Sequence, residues 1–512
     1  MPRYAAVDIG SNSVRMLAAE VPLGGDWTML TSDREVTRLG ASVFESGMIS
    51  QEAMELVCGF LRRMAGAYQK LEVAGVRAVA TAAVRDASNQ AEFLARASES
   101  IGAPVEIISG QEEARLVHLG IQTQWPHPDK RVLIADIGGG SLEVIVSQNG
   151  RIEESFSKPL GAVRLTGLFM KHDPPKKKQL QHLREFIDEK LAPVVHKIGV
   201  QKFDRVIGTS STAAAMVCSA NRVPRARRDE ADRRRTTTAQ ARKLLGKLQE
   251  RDRSKRARIT GIGPRRAEII VAGVSVLLQV MEKLQLPSMY YSTAGVRDGI
   301  IADLAARRVG SEQALLSREQ RAVVEQMARK YSTPFAGTLK HARQVARFGR
   351  TLFEALEQLH RLPPYWGKLL EAASYLYETG LFVSDTGHHK HSAYLIENSG
   401  LAGFTDRERT LIAQLCRFHR KSMPAARHAD YQALSPEDRK ALLLLIPLLR
   451  LADALDRGKE QRVEALGCQV RDGRVLLQIK GSGKIALEEW SGEQVGGAFE
   501  QVYGKKLEVE RA

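Results

Sequence analysis

Short apolar runs alternate with longer stretches of helical periodicity along the first three hundred residues. Tyr4–Val7, Val76–Ala80, Val105–Ile108 and Val132–Ala135 have the length and composition of buried strands. In Gln51–Leu71, by contrast, apolar residues recur at intervals of three and four, which is typical of an amphipathic helix. This alternation of strands and helices predicts an α/β fold class for the region.

Changes in the pattern divide the chain into four predicted parts. The prolines of Trp125–Asp129 indicate a loop between two α/β lobes. Beyond residue 310 the periodicity becomes helical, and strand-like alternation returns only in Arg474–Ile479 and Lys506–Val509. The predicted parts are lobes at 1–125 and 126–310, a helical domain at 311–458 and a small C-terminal α+β domain at 459–512.

Two segments have the same order of residue types, with an aspartate first, then small residues, and a hydroxyl residue last. They are Asp8–Ser13 and Asp136–Ser141. Each lies between two apolar runs, so each predicts a strand–turn–strand unit. Glycine lets backbone N–H groups approach a phosphate, and an aspartate at a strand end can hold a divalent cation. Ordinary hairpins are the simpler alternative, but two copies favour paired phosphate-binding loops. The Walker and Rossmann glycine patterns are absent from the sequence, so neither of those phosphate sites is predicted.

Hydrolysis of a phosphoanhydride needs charge neutralisation and one group that activates water. Glu113 follows a predicted strand and Gly110 in the lobe that carries the first loop, so it could face the gap between the loops. Alternatively, Glu112 and Glu113 only stabilise a helix N-terminus electrostatically. We expect substitution of Glu112 to cost far less activity than substitution of Glu113.

Two further residues are candidates for the same site. Arg85 follows a strand and a hydroxyl-rich turn, where its guanidinium could bind phosphate with two hydrogen bonds; otherwise it is a surface arginine. Glu143 lies two residues beyond Ser141 on the same strand face, so it could reach a metal held by Asp136.

The charge balance points to polyanionic partners. The 512 residues include 76 Lys and Arg against 59 Asp and Glu, for a net charge of +17. This excess attracts polyphosphate, nucleic acid or anionic lipid alike. Basic residues concentrate in Arg222–Arg235, which is either an anion-binding surface or a solvated face.

Cysteine usage and hydropathy exclude several classes of protein. The four cysteines are far apart and form no Cys-x-x-Cys pair, so neither a disulfide framework nor a thiolate zinc site is predicted. The longest apolar run, Ala441–Leu449, is about half of a membrane span. A cytoplasmic protein without membrane segments is therefore expected.

Histidines and aspartates are scattered through the helical region. They are His341, His388, His389, His391, His419, Asp453 and Asp456. Such residues form a metal site only where neutral imidazoles and carboxylates converge. The segment Gly387–His391 could instead be a loop that hydrogen-bonds anions.

Six segments of the chain are informative in combination. They are the two loops described above and the segments Thr81–Asn89, Ser109–Arg115, His388–Leu395 and Leu401–Phe404. Together they resemble the exopolyphosphatase / guanosine pentaphosphate phosphohydrolase family in its long form. The resemblance runs over nearly the whole chain and is weakest after about residue 460. It implies two actin-like lobes, of the type found in sugar kinases and Hsp70, then an all-α HD-type domain and a small C-terminal α+β domain.

The resemblance also implies roles for individual residues. Glu113 becomes the general base, and Asp136 and Glu143 hold Mg²⁺ with Asp8 nearby. The turn Gly208–Thr212 lines the other wall of the cleft. The implied phosphate contacts are Asn12, Ser13, Arg85, Gly138, Gly139, Gly140 and Ser141.

The chain departs from the family pattern at two places. Thr209–Thr212 replaces a Gly-x-Gly-Thr turn, which leaves the contacts of that turn open. Tyr377 and Glu378 replace the central His-Asp pair of a metal-binding phosphohydrolase domain, although His341 and Asp453 match its outer positions. Since tyrosine is a poor ligand for divalent metals, we expect a scaffold there and not a second metal site.

These observations lead to an expected function. The chain should be an Mg²⁺-dependent hydrolase that releases terminal orthophosphate from inorganic polyphosphate, with guanosine pentaphosphate as a second candidate substrate, and it should form a homodimer. The helical domain is expected to guide the polyanion inwards. The alternatives are an actin-like ATPase or sugar kinase, or a catalytically inactive regulator that binds polyanions. Membranes and nucleic acid are not expected partners.

Overall fold

The computed structural model describes residues 1–22, 27–310, 315–332, 339–471, 473–483 and 485–511. The chain divides into two compact units, Met1–Ala306 and Arg307–Ala512. The first unit contains two α/β lobes, each built on one sheet.

The first lobe surrounds a five-stranded sheet of order β3-β2-β1-β4-β5. Its strands are β1 (Arg3–Ile9), β2 (Val14–Glu20), β3 (Thr28–Glu35), β4 (Gly75–Ala80) and β5 (Val105–Ile107). Its helices are α1 (Leu39–Ser46), α2 (Gln51–Gln69), α3 (Ala82–Asp86), α4 (Gln90–Ile101) and α5 (Gly110–Gln124). Strand β1 is apolar on both faces because helices or loops cover both sides of the sheet, which buries Ala5, Ala6 and Val7 completely.

The second lobe surrounds a six-stranded sheet of order β10-β11-β9-β6-β7-β8. Its strands are β6 (Arg131–Ile137), β7 (Leu142–Gln148), β8 (Arg151–Lys158), β9 (Arg205–Thr209), β10 (Arg235–Thr237) and β11 (Ser288–Tyr291). Its helices are α6 (Ala162–Phe169), α7 (Lys177–Ile198), α8 (Ser210–Ala220), α9 (Thr238–Gln249), α10 (Arg253–Ala257) and α11 (Ile270–Lys283), followed by α12 (Val296–Gly310). Residues Arg225–Ala231 form a 3₁₀ helix.

The two sheets repeat one topology. In the first lobe β1 pairs antiparallel with β2 and parallel with β4, and β2 pairs antiparallel with β3. In the second lobe β6 has the same relationship to β7 and β9, and β7 to β8. This repetition agrees with the predicted pair of actin-like lobes.

One local expectation in the second lobe needs correction. The hydroxyl-rich segment after β9 is not a turn, because α8 begins directly at Ser210. The backbone reverses there through a positive φ of 67° at Ser210, and the alanines that follow favour a helix.

The second unit is mostly helical, as predicted, and ends in a small sheet. Its helices are α13 (Arg318–Lys330), α14 (Leu339–Ala355), α15 (Glu357–His360), α16 (Tyr365–Leu376), α17 (His388–Glu397), α18 (Asp406–Phe418), α19 (Ala429–Gln432), α20 (Pro436–Ala454), α21 (Ala486–Glu493) and α22 (Gly496–Tyr503). A 3₁₀ helix spans Thr379–Phe382. The sheet has the order β12-β13-β14, with β12 (Val463–Arg471), β13 (Arg474–Gly481) and β14 (Lys506–Arg511).

One hydrophobic core joins the helices and the sheet of the second unit. Leu449 from α20, Val475 from β13 and Phe499 from α22 are all completely buried within it. The expected boundaries at residues 125, 310 and 458 stay predictions. Among the described helices, none combines the length and apolar character that crossing a bilayer requires.

Candidate active site

The two predicted phosphate-binding loops have the same closing hydrogen bond. In the first loop, the backbone N–H of Gly10 donates to the carbonyl oxygen of Ser13 at 3.1 Å. In the second, the N–H of Gly138 donates to the carbonyl oxygen of Ser141 at 3.0 Å. Both loops are therefore tight connections between antiparallel strands, with equivalent positions in the two lobes.

Glycine in the second loop allows the two loops to pack against each other. A Cβ atom on Gly139 would lie 3.1 Å from the backbone nitrogen of Asn12, and one on Gly140 would lie 2.7 Å from Ser11 Oγ and 2.6 Å from Ala82 Cβ. Any larger residue would force the lobes apart at this point. The loops consequently line one common cleft of the first unit.

Each lobe places a pair of ionisable side chains on neighbouring strands beside its loop. Asp136 of β6 is the direct cross-strand partner of Glu143 of β7. At the equivalent position of the first lobe, Asp8 of β1 faces Arg15 of β2. Glu143 is completely buried, and Ser157 Oγ donates to its Oε1 at 2.8 Å.

Glu113 completes a cluster of four carboxyl groups with Asp136 and Glu143, which are buried like Glu113, and with the half-buried Asp8. It lies in the first turn of α5, where its backbone N–H donates to the carbonyl oxygen of Ser109. Its carboxylate lines the cleft with those of Asp8 and Asp136.

Burial raises the pKa of all four carboxyl groups. The pKa of Asp136 rises to about 6, and that of Glu143 rises to about 8 because the charge of Asp136 adds to the effect of burial. Burial, followed by the charge of Glu143, also holds the pKa of Glu113 well above its ordinary value. The pKa of Asp8 is raised by burial, against the opposing effect of Arg15. These carboxyl groups need a counter-charge to ionise together.

The donor set of this cluster fits a hard divalent cation. Asp136 Oδ1, Glu143 Oε2 and Glu113 Oε2 are buried without a hydrogen-bond partner in the described part of the chain. Their oxygens do not form a closed cage, since the described residues contain one group of three or more ligand atoms within 4.8 Å of one another, and it lies in the second unit. Mg²⁺ tolerates such an open site because it retains water and takes further oxygens from phosphate.

Arg85 lies beside Glu113. Its Nη1 is 4.0 Å from Glu113 Oε2 and donates to the carbonyl oxygen of Ile108 at 2.6 Å. Arg85 and Glu143 are not among the residues that line the cleft. The lining residues that the sequence predicted are Asp8, Asn12, Ser13, Glu113, Asp136, Gly138, Gly139, Gly140 and Ser141, with Thr209, Ser210 and Ser211 on the other wall.

Glu112 has a different environment from Glu113. It accepts hydrogen bonds from Arg115 at 2.8 and 2.9 Å and from Arg77 at 3.2 Å. Asp303 of α12 binds the same two arginines, at 2.8 and 2.9 Å. The expectation that substitution of Glu112 costs far less activity than substitution of Glu113 stays a prediction, but removing Glu112 would leave the buried charges of Arg77 and Arg115 poorly compensated.

Sequence reasoning missed several arginines of the cleft. Arg15 and Arg297 line it, and Arg15 Nη2 donates to Ser211 Oγ of the other lobe at 3.2 Å. Arg297 donates to the carbonyl oxygen of Met16 at 3.1 Å. The alternation along β2 could have identified Arg15, which lies on the same strand face as Ser13.

Histidines take part in two separate side-chain groups of the second unit. His388 Nε2 lies 3.3 Å from His419 Nε2 and the two rings stack, while burial lowers the pKa of His419 to about 3. His341 belongs to the other set, with Nδ1 2.8 Å from Asp456 Oδ2.

Tyr377 lies at the centre of the group around His341. Its hydroxyl oxygen is 2.6 Å from His341 Nε2, and the hydroxyl donates to Asp453 Oδ1 at 2.6 Å. His341, Glu378 and Asp453 are the group whose ligand atoms lie within 4.8 Å of one another. Lys459 Nζ, however, donates to both carboxylate oxygens of Glu378, at 2.8 and 2.9 Å. The side chains that could bind a metal thus already have hydrogen-bond partners. The Tyr377 hydroxyl contacts His341 and Asp453, and the Lys459 ammonium group contacts Glu378.

Solved structures of similar proteins share the fold. A Ppx/GppA protein from Aquifex aeolicus is 28% identical, with a TM-score of 0.52, and the match covers 60% of this chain and 98% of that one. An exopolyphosphatase-like protein is 26% identical, with a TM-score of 0.57 and coverage of 60% and 99%. An exopolyphosphatase from Cytophaga hutchinsonii, at 24% identity and a TM-score of 0.55, covers 60% of this chain, 98% of its own length, and supports the fold alone.

Family models cover most of the sequence. The model of Ppx/GppA phosphatase domain III matches residues 320–488. The model of the Ppx/GppA phosphatase family matches residues 18–308, which include Glu113 and the whole second loop. Since that match spans more than half of the chain, and the carboxylates and paired loops of the cleft suit phosphate chemistry, this protein belongs to the Ppx/GppA phosphatase family.

Proposed function

We propose that the protein is an Mg²⁺-dependent exopolyphosphatase, which hydrolyses the terminal phosphoanhydride of inorganic polyphosphate and releases orthophosphate. Guanosine pentaphosphate, which presents the same kind of terminal phosphoanhydride, is the second candidate substrate. The observation that carries the proposal is the buried carboxylate of Glu113 in a cleft lined by both phosphate-binding loops. The similar structure named exopolyphosphatase-like points the same way.

Glu113 is the proposed general base. A carboxylate whose pKa is raised by burial accepts a proton from water more readily than an ordinary surface glutamate. Arg85, 4.0 Å from its Oε2, limits that rise and helps to orient the group. Water held by Glu113 would attack the terminal phosphorus in line with the leaving phosphate.

The loops are the proposed phosphate-binding elements. Backbone N–H groups of Gly139 and Gly140 and the hydroxyl of Ser141 suit the non-bridging oxygens of the substrate. Asn12 and Ser13 supply the corresponding groups from the other lobe, and Arg85 is a further proposed phosphate contact. Contact from both sides would position the terminal phosphate and neutralise part of its charge.

Asp136 and Glu143, with Asp8 nearby, form the proposed Mg²⁺ site. The unpartnered oxygens of Asp136 and Glu143 support this assignment. When bound, Mg²⁺ would supply positive charge to the phosphate oxygens. The carboxylates of the chain would hold the cation and remain ionised beside it.

The second unit is proposed to be an HD-type helical domain without a bound metal, followed by a small C-terminal domain. Tyr377 stands where the metal-binding phosphohydrolase pattern has a histidine ligand. Its contacts with His341 and Asp453 support a structural role for this position. We also propose that the protein is a cytoplasmic homodimer. Light scattering of the purified chain tests the dimer.

Phosphate release from long-chain polyphosphate and from guanosine pentaphosphate, measured side by side with Mg²⁺ and with EDTA, tests the proposed function. We expect Mg²⁺-dependent release from polyphosphate. An ATPase or sugar kinase would instead turn over ATP, alone or with a sugar. A regulator that only binds polyanions would release phosphate from neither substrate, and either result would overturn the proposal.

A further inference from the structure

Helix α6 binds the carbonyl groups of the second proposed phosphate-binding loop. The backbone N–H of Ala162 donates to the carbonyl oxygen of Gly138 at 3.0 Å. The backbone N–H of Arg164 donates to the carbonyl oxygen of Gly139 at 3.1 Å. In a trans peptide the carbonyl and the next N–H point in opposite directions. The N–H groups of Gly139 and Gly140 therefore point away from α6, and both residues line the cleft.

The side chain of Arg164 binds the next carbonyl of the same loop. Its Nε donates to the carbonyl oxygen of Gly140 at 2.9 Å. Its Nη2 donates to the carboxylate of Asp86, which ends α3 of the first lobe. The guanidinium carbon also lies 3.9 Å from the centroid of the Phe44 ring on α1. One side chain of the second lobe thus contacts the loop and two helices of the first lobe.

Phe44 fills the space between Arg164 and the loop. A Cβ atom on Gly140 would lie 2.9 Å from Cζ of Phe44, which is closer than ordinary van der Waals contact. A guanidinium above an aromatic ring is attracted to the negative face of the ring. The side chain of Arg164 is only 17% exposed. A carbonyl oxygen, a carboxylate and a ring together hold Arg164 in one position.

Asp86 is the neighbour of Arg85, which links these contacts to the proposed general base. Arg85 Nη1 lies 4.0 Å from Glu113 Oε2 and donates to the carbonyl oxygen of Ile108 at 2.6 Å. A continuous series of contacts therefore leads from the second loop through Arg164 and α3 to Glu113.

Arg164 is not placed to bind substrate itself. Within the part of the chain that the structure describes, it does not line the cleft, and neither do Asp86 and Phe44. Its Nε and Nη2 both donate to oxygens of the protein. A guanidinium with these partners orients the loop and does not neutralise a phosphate.

We propose that Arg164 is a positioning residue, which fixes the second loop relative to α3 so that a terminal phosphate held by the loop stays in line with water at Glu113. This inference rests on the proposed function and names the side chain that aligns its two parts. In-line attack depends on the alignment of the reacting atoms, and a displacement of about 1 Å can cost roughly 10²-fold in rate. Loss of Arg164 should consequently slow the chemical step more than it weakens binding.

Phosphate release from long-chain polyphosphate by Arg164→Ala, Asp86→Ala and the double variant tests this role. The matched control is Arg151→Ala, which removes an exposed arginine from β8 of the same lobe. We expect Arg164→Ala to lower kcat about 10- to 100-fold. The dissociation constant of polyphosphate, measured on a Glu113→Gln background, should change by less than about threefold, since the lost interaction acts on the transition state.

Asp86→Ala should lower kcat about tenfold, and the double variant should lose no more than Arg164→Ala alone, because residues in contact are not additive. Arg164→Lys, which also serves if Arg164→Ala folds poorly, should not restore turnover. One ammonium group on a flexible stem does not reproduce the bonds of the guanidinium to Gly140 and Asp86. Additive losses, a loss of affinity as large as the loss of kcat, or full turnover in Arg164→Lys would overturn the proposal.

A distance measurement tests the same contact without turnover. Spin labels are attached to Glu55→Cys on α2 and Glu185→Cys on α7, which are exposed positions of the two lobes, with Cys468→Ser removing a partly exposed thiol. Arg164→Ala should broaden the distribution of distances between the labels, and Arg151→Ala should preserve it. An unaltered distribution in Arg164→Ala would overturn the proposal. Failure of the wild type to release phosphate would instead contradict the proposed function and leave the distance result intact, so the two failures are distinguishable.

Discussion

Asp136 and Glu143 are direct cross-strand partners, and both carboxyl groups are buried beside the second of the two proposed phosphate-binding loops. Two carboxylates in this arrangement repel each other unless a proton or a cation lies between them. From this relationship we expect the stability of the first unit to depend on pH and on divalent cations.

Without divalent cations, stability should fall as the pH rises. The folded protein keeps the proton of Glu143 up to about pH 8, whereas the unfolded chain releases it near 4.5, so the folded state binds more protons between these values. The associated stability is complete below pH 4.5 and is lost as the pH passes 8. Glu143→Gln should therefore gain roughly 1–3 kcal/mol relative to the wild type between pH 5 and pH 9 in urea unfolding with EDTA. A constant difference across this range would contradict the buried pair.

Magnesium should stabilise the protein through Asp136. A ligand that binds only the folded state raises the unfolding temperature, and we expect about 2–5 °C at saturating Mg²⁺ and pH 8. Asp136→Asn should abolish most of this shift, and the exposed Asp129→Asn of the same lobe should preserve it. An unchanged shift in Asp136→Asn would place the cation elsewhere.

Replacing the proposed base should remove turnover and preserve binding. Glu113→Gln retains the shape of the side chain but cannot accept the proton of water, so we expect kcat to fall about 10²–10⁴-fold with little change in the affinity for polyphosphate. Phosphate release by the exposed Glu99→Gln is the control. Near-normal turnover in Glu113→Gln would show that another group activates water.

Glu112→Gln should behave as a stability variant. Loss of its charge weakens the compensation of Arg77 and Arg115 in the buried network, and we expect the free energy of unfolding to fall by about 2–4 kcal/mol. Chemical denaturation measures this change. If stability is retained, the network contributes less than its burial indicates.

The second unit should contain no tightly bound transition metal, because Tyr377 and Lys459 already bind the potential ligands. Elemental analysis of the purified protein should find Mn, Fe and Zn well below one equivalent. Stoichiometric metal that disappears in His341→Ala would contradict this prediction and indicate a second metal site.

The sequence by itself determined the local elements. Apolar runs on both sides of glycine predicted the two loops, and the acidic residues Glu112 and Glu113 after Gly110 indicated the start of the helix that carries Glu113. These features depend on neighbouring residues along the chain, because strand burial, turn geometry and helix capping are local effects.

Only the tertiary structure decided how the charges of these elements are balanced. Successive residues on a helix point about 100° apart, so Glu112 meets Asp303 and two arginines while Glu113 faces the cleft. Likewise, Arg34 meets Arg225 only after two lobes have folded. Burial sets the cost of each charge, and burial depends on contacts between segments that are distant in the sequence, which local patterns do not contain.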